Sequence, residues 1–323
     1  MKTFCNPLED RDAPDPFMTY DKKTGYYYSL FTCSNRLELY RSRHAADILT
    51  DHDSIVLFRA APENGIYGSI WAPEMHKAPN GKWYIYTSGT HQPGNDPAND
   101  KKCLFVMESE SEDPFEGFHF KCKMDEAMFA IDPTVYTDDL GKQYMCYSYT
   151  NKGQVLEIRE LVNPYTFGEK RAVISRAEYS WEMVPPYVGN STINEGAFFL
   201  KNKGRLFIIY SGNGCWSDDY CFGVLEYMGG DMCSSQSWKK HPEPILVKGN
   251  GVYGPGHASF FRSPDDTEVW CAYHGMKESN ISVTYAPRYF HLQKVEFDES
   301  GYPVMGIPVG SGVELCPPSG EIE

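Results

Sequence analysis

A turn-and-strand pattern recurs along this chain about every sixty residues, and internal repetition restricts the fold more than any local signal can. Gly25, Gly81, Gly141 and Gly204 each precede an aromatic residue by three positions, at Tyr28, Tyr84, Tyr144 and Phe207. Three of the four copies then reach a serine seven residues on, at Ser88, Ser148 and Ser211. The glycines are 56, 60 and 63 residues apart, and a weaker fifth copy, Asp265-Asp266-Thr267-Glu268-Val269-Trp270, follows 62 residues after Gly204.

Each copy has one strand before it and more after it. Behind the aromatic strand come runs at 37–41, 104–108, 155–159, 222–226 and 289–295, then looser runs at 55–58, 118–121, 172–174 and 244–247. Helical periodicity is almost absent, and aromatic residues make up 15% of the chain, which favours strands. Four-stranded units repeated five times define an all-β fold, a five-bladed β-propeller whose closure leaves only short edges. A sandwich would not produce this period. No linker or composition shift divides residues 1–323, so one propeller is expected, with residues 303–323 as a strand fragment and tail near the closure.

The repeat also brings polar residues into register. Nine or ten residues before each turn stand Asp15, Trp71, Asp132, Glu195 and His257, at spacings of 56, 61, 63 and 62. The first strand of a propeller blade lines the central channel, so equivalent strand starts converge at its mouth. Pro16 and Pro133 suit such strands, because the edge facing the channel has no ladder bond to lose. Clustered carboxylates raise one another's pKa, and paired acid and base catalysis is the usual compensation. Glycoside hydrolysis uses such a pair, one carboxyl protonating the leaving oxygen while another activates water or attacks carbon. The alternative is that these acids are solvated turn residues, in phase only because the blades are.

A formal charge of −14 argues against nucleic acid or an anionic membrane as partner and is compatible with a neutral sugar. No stretch approaches membrane-spanning length, and the opening Met-Lys-Thr-Phe-Cys-Asn-Pro has no apolar core of signal-peptide length. The ten cysteines show no CxxC zinc spacing and are expected to be reduced and mostly buried. A cytoplasmic location is expected, the alternative being a secreted or periplasmic chain whose signal has been removed.

Five motifs in order make the chain resemble glycoside hydrolase family 43. They are Ala13-Pro14-Asp15-Pro16-Phe17, Ile70-Trp71-Ala72-Pro73-Glu74, Ala130-Ile131-Asp132-Pro133, Asn194-Glu195-Gly196-Ala197-Phe198 and Gly254-Pro255-Gly256-His257. The resemblance implies a five-bladed propeller and an inverting mechanism. It makes Asp15 the general base, Glu195 the general acid, and Asp132 the residue that tunes and positions that acid. Family glutamates of this type are often followed by Gly-Pro, and here Ala197 replaces the proline. The resemblance further suggests a calcium ion in the channel near His257, whose alternative role is a hydrogen-bonded buried histidine. Trp71 becomes a wall of the sugar pocket or else blade core, Arg288 a substrate contact or else a surface cation, and Phe31 a pocket residue or else core. Glu74 and His76 are candidate supporting groups. Asp12 competes with Asp15 for the role of base but lies outside the register.

The resulting expectation is an exo-acting α-L-arabinofuranosidase acting on arabinose-containing plant oligosaccharides. A β-xylosidase acting on xylose-containing ones is the alternative. A propeller phosphorylase and a non-catalytic sugar-binding propeller are the readings from other classes.

Overall fold

The recurring glycines turn the chain where a side chain would resist turning. In the computed structural model, which describes residues 3–94, 101–125, 129–184, 192–279 and 286–321, Gly25, Gly81, Gly141 and Gly204 have φ of 69°, 85°, 81° and 77°. Glycine enters that region without steric cost. The fifth copy uses Asp266 at φ 60°, aspartate being among the few other residues that tolerate it. That substitution is why the fifth repeat is blurred in the sequence.

Each turn joins an innermost strand to its neighbour, and four blades run outward in antiparallel order. Blade one comprises β1 (Phe17–Asp21), β2 (Tyr26–Leu30), β3 (Arg36–Ser42) and β4 (Asp53–Arg59). Blade two holds β5 (Trp71–Lys77), β6 (Trp83–Gln92), β7 (Lys101–Ser109) and β8 (Phe118–Lys123). Blade three holds β9 (Ala130–Thr137), β10 (Gln143–Thr150), β11 (Gln154–Asn163) and β12 (Thr166–Ser175). Blade four holds β13 (Asn194–Asn202), β14 (Arg205–Gly212), β15 (Cys221–Tyr227) and β16 (Trp238–Lys240). Its outer strand is therefore not the run at 244–247. Pro242 and Pro244 cannot donate to a ladder, and Ile245 and Leu246 instead bond back to Phe222 at 2.8 and 3.0 Å.

Blade five has three regular strands, β17 (Tyr253–Arg262), β18 (Val269–Met276) and β19 (Tyr289–Lys294). The N-terminal segment takes the place of its fourth. Leu8 N–H donates to the Phe290 carbonyl at 3.0 Å, and the Asn6 side chain bonds both the carbonyl and the N–H of Leu292, at 2.7 and 2.9 Å. Phe4 in turn exchanges backbone bonds with Leu315. Both ends of the described chain therefore meet at the closure of the ring.

Neighbouring blades meet through apolar layers, such as Met18, Tyr27, Phe261 and Trp270 between blades one and five. Burial of each large side chain contributes roughly 1.5–3 kcal/mol. Inner-strand rings fill the channel below the strand starts. Phe17 lies 5.7 Å from His76, His76 lies 6.0 Å from Phe198, and Phe198 lies 5.9 Å from Phe260, centroid to centroid. The mouth thus has an apolar floor. All ten cysteines are free, but only Cys103, Cys146, Cys221 and Cys271, within strands, are buried. No helix among the described residues is long and apolar enough to cross a membrane.

Candidate active site

At the start of every inner strand one residue is in the left-handed region: Asp15 (φ 54°), Ala72 (44°), Asp132 (55°), Gly196 (54°) and His257 (49°). Side chains other than glycine adopt this conformation at a cost, and such residues gather at functional sites. Four of these kinks are tied to the preceding blade. Asp15 N–H donates to His274 Nδ1 (3.1 Å), Ala72 N–H to Thr32 Oγ1 (2.8 Å), Gly196 N–H to Asp132 Oδ2 (3.1 Å) and His257 N–H to Ser211 Oγ (2.8 Å). Ser148 Oγ donates across the same kind of junction to the Asn194 carbonyl at 2.8 Å.

The strand register refines the five-fold equivalence. Trp71 stands opposite Ser88, Ile131 opposite Ser148, Glu195 opposite Ser211 and Gly256 opposite His274. The kink is the residue after each of these, so Trp71 and Glu195 lie one position earlier than Asp15, Asp132 and His257. Glycine is needed after Glu195 on two counts. Its φ is 54°, and a Cβ there would lie 3.0 Å from His257 Nδ1.

Asp15 is buried against cations. Oδ1 accepts from Arg288 Nη1 at 3.1 Å and lies 3.4 Å from Nδ1 of both His257 and His274, while Oδ2 accepts from Thr32 Oγ1 at 2.7 Å. Burial would raise its pKa, but Arg288, His257, His274 and the Thr32 hydroxyl outweigh that and hold the carboxyl well below the usual range. His274 accepts the Asp15 N–H through Nδ1, which is the neutral tautomer. Burial first, and then Arg288, keeps it neutral by pushing its pKa down. His257 is the opposite case: burial would lower its pKa, yet the carboxylates of Asp15, Asp132 and Glu195 raise it.

Glu195 is held by neutral donors, Tyr220 O–H at 2.8 Å on Oε1 and the Gln154 side-chain amide on Oε2. Burial first, and then the Asp132 charge, push its carboxyl up to about 7. Asp132 is raised too, by burial and by the charge of Asp15, against the opposing pull of His257. One mouth therefore holds a carboxylate fixed in its ionised form and a carboxyl fixed toward its protonated form. Titratable groups whose environments push their pKa values apart mark the base and the acid of a proton-transfer site.

The other candidates are placed as follows. Trp71 is half-buried, with Lys102 Nζ 3.6 Å from its ring centroid. Arg288 is no isolated surface cation, being paired with Asp15. Asp12 accepts the Arg288 backbone N–H at 2.8 Å, whereas Asp15 accepts from the guanidinium of the same residue. Glu74 is buried and bonds His76 at 2.7 Å. Phe31 has to be corrected. It is 3% exposed, packed between Tyr40 and Phe290 at 5.6 and 5.3 Å, and belongs to the core between blades one and five.

Calcium takes six to eight oxygen ligands. His257 turns Nδ1 to Asp15, and among the described residues no group of three or more His, Cys, Asp or Glu could hold a metal. At His257 the ion would meet a nitrogen where it prefers oxygen.

Four contacts escaped the sequence. Thr32 carried a signal, since it lies seven residues after Gly25 and completes the hydroxyl series. His274 takes the corresponding place in blade five. Gln154 and Tyr220, at the start of β11 and just before β15, follow no period.

A propeller with an ionised carboxylate and a proton-holding carboxyl at one mouth defines an acid–base enzyme of the glycoside hydrolase class. The chain belongs to the Glycosyl hydrolases family 43, which it matches over residues 4–303. It is similar to an extracellular exo-α-(1→5)-L-arabinofuranosidase of Streptomyces chartreusis, 31% identical over 290 residues that cover 85% of this chain and 83% of the relative. A relative of the same description from Streptomyces avermitilis is 29% identical over 327 residues, covering 96% of this chain but only 65% of the relative. The crystal structure of an α-L-arabinofuranosidase from Lactobacillus brevis matches with a TM-score of 0.85 at 25% identity, over 96% of this chain and 98% of that one. These relatives overturn the cytoplasmic expectation: both Streptomyces proteins are described as extracellular, which points to secretion.

Proposed function

We propose that this chain is an inverting exo-α-L-arabinofuranosidase that acts outside the cytoplasm and releases terminal arabinofuranosyl units from arabinose-containing oligosaccharides. The observation that carries the reading is the opposed protonation of Asp15 and Glu195 in one buried mouth, and the described activities of the relatives supply the sugar. Glu195 gives its proton to the glycosidic oxygen as the bond to the anomeric carbon breaks. Water attacks that carbon from the opposite face and loses its proton to Asp15, leaving the inverted sugar. Asp132 supplies the negative charge that keeps Glu195 protonated. Its bond to Gly196 N–H fixes the backbone beside the acid. Arg288 and His257 keep Asp15 ionised at some loss of basicity, which is tolerable because the attacking water becomes acidic as its bond to carbon forms.

The test compares nitrophenyl α-L-arabinofuranoside with nitrophenyl β-D-xylopyranoside, with and without phosphate. Phosphate-independent turnover of the arabinoside is expected. A preference for the xyloside would move the enzyme to xylosidase, and dependence on phosphate would sink hydrolysis. On an unactivated arabino-oligosaccharide, Asp15→Asn and Glu195→Gln should each lose roughly 10²–10⁴-fold in kcat. Proton NMR of the first-formed sugar should show the inverted anomer.

A further inference from the structure

The hydroxyl that follows the turn does two things in blade one. Thr32 Oγ1 accepts the N–H of the next blade's kink, Ala72, at 2.8 Å, and donates to the acid of its own blade, Asp15 Oδ2, at 2.7 Å. Ser211 occupies the same place in blade four, and its Oγ accepts the N–H of the next kink, His257, at 2.8 Å. Glu195, however, precedes its kink by one position, and the Ser211 hydroxyl meets Tyr220 instead.

Tyr220 supplies the missing link. Its oxygen accepts from the Ser211 hydroxyl, and its own O–H donates to Glu195 Oε1 at 2.8 Å. A backbone N–H can only donate, so the direction of the row is set at its far end: His257 N–H to Ser211, Ser211 to Tyr220, Tyr220 to Glu195. Hydrogen bonds that follow one another in this way polarise and strengthen each other.

The ring is built into the wall between blades four and five. Tyr220 is 0% exposed and stacks on His274, with centroids 5.7 Å apart and planes 9° from parallel. Gly256 stands opposite His274 in the ladder, and a Cβ there would lie 1.8 Å from the Tyr220 ring. The glycine before His257 therefore makes room for the phenol. Burial and the Glu195 charge raise the pKa of Tyr220 well above its ordinary value, so it remains a donor.

We propose that Tyr220 is the positioning residue of the general acid, the last link of a hydroxyl chain that runs from the His257 backbone through Ser211 and steadies the Glu195 carboxylate. The assignment rests on the hydrolase reading, in which Glu195 is the acid. Burial and Asp132 hold the proton on Glu195 before the reaction. The chain acts on the carboxylate that remains once this proton has passed to the leaving oxygen, and it keeps that carboxylate aimed into the mouth.

The test follows the Glu195 carboxyl with and without substrate. In protein carrying ¹³C at the glutamate side-chain carboxyls, NMR titration reads its midpoint directly, with Glu195→Gln identifying the signal. Tyr220→Phe keeps the buried ring and removes only the hydroxyl. The titratable groups that face the carboxyl from other positions, Asp132 of β9, His257 of β17 and Cys215 of the loop before β15, are all retained. A donor to the ionised form lowers a carboxyl's pKa, so its loss should raise the Glu195 midpoint by about one pH unit. Ser211→Ala, which shortens the chain, should raise it by less. On an unactivated arabino-oligosaccharide the alkaline limb of kcat should move up by the same interval in Tyr220→Phe, with kcat about tenfold lower. A midpoint and a limb that stay in place would overturn the assignment, whatever happens to the melting temperature. A shift in Tyr220→Phe with none in Ser211→Ala would overturn the chain. If Tyr220→Phe does not fold, Ser211→Ala carries the test, and an unmoved midpoint there rejects the proposal. A wild type that turns over no arabinoside fails the proposed function, while the NMR titration still decides the role of Tyr220.

Discussion

Asp132 acts on its neighbour through charge. Its Oδ2 accepts the Gly196 N–H at 3.1 Å, and its negative charge follows burial among the causes that raise Glu195. Asparagine keeps the size and the acceptor oxygen, so Asp132→Asn isolates the charge. Glu195 acts while protonated, and activity is lost as pH rises through its pKa. Removing a nearby negative charge lowers that pKa, so the alkaline limb of kcat against pH should move down by roughly one pH unit. A limb that stays in place would mean that burial alone sets the acid. At this scale the sequence shows some residues and conceals others, for a physical reason. Asp15, Asp132 and His257 are periodic because each occupies the same kink, whereas Gln154 and Tyr220 reach Glu195 from segments whose lengths differ between blades. Phe31 misleads because its distance from the turn says nothing about which way its ring points.

Strand kinks explain why Glu195 is offset and what supports it. A bulge shifts the side chain in play by one residue without altering the repeat length, so the sequence spacing cannot reveal that Glu195 precedes its kink while Asp132 occupies one. Behind Glu195, Asn194 belongs to a buried network. Its side-chain amide donates to Glu182 Oε1 at 2.8 Å, and its Oδ1 accepts from Ser175 Oγ at 2.6 Å. Glu182 is 0% exposed and pairs with Lys240 Nζ at 2.7 Å, with Tyr210 O–H at 2.8 Å on the same oxygen. These partners come from β12, β14 and β16, so the pair ties the outer strand of blade four to the strand start that carries the acid. Lys240→Met removes the cation and leaves a buried carboxylate uncompensated, at a cost of about 3–5 kcal/mol. Thermal unfolding should show a melting temperature lower by several degrees. An unchanged melt would mean that the neutral donors satisfy Glu182 without Lys240.

Ring closure connects the whole molecule to the base. Blade five supplies His257, His274 and Arg288 to Asp15 of blade one, so the ion pair spans the junction where the two ends of the chain meet. The sequence reveals five repeats but not how the last is completed, because the N-terminal segment pairs through a side chain. Asn6 offers Leu292 both an acceptor and a donor, mimicking a strand residue with its amide. No β-strand pattern encodes that. Both groups of Leu292 are buried, and Asn6→Ala leaves them without these partners. At about 1–3 kcal/mol for each unsatisfied group, the variant should lose roughly 2–6 kcal/mol of stability. The loss falls on blade five, which among the described residues has three regular strands where the others have four, so activity should disappear on heating before the far blades unfold. Parallel scans of arabinoside turnover and tryptophan fluorescence against temperature check this, with inactivation expected at the lower temperature. Coincident transitions with a wild-type midpoint would show that the apolar layer between blades one and five, Met18, Tyr27, Phe261 and Trp270 among its members, holds the ring shut unaided.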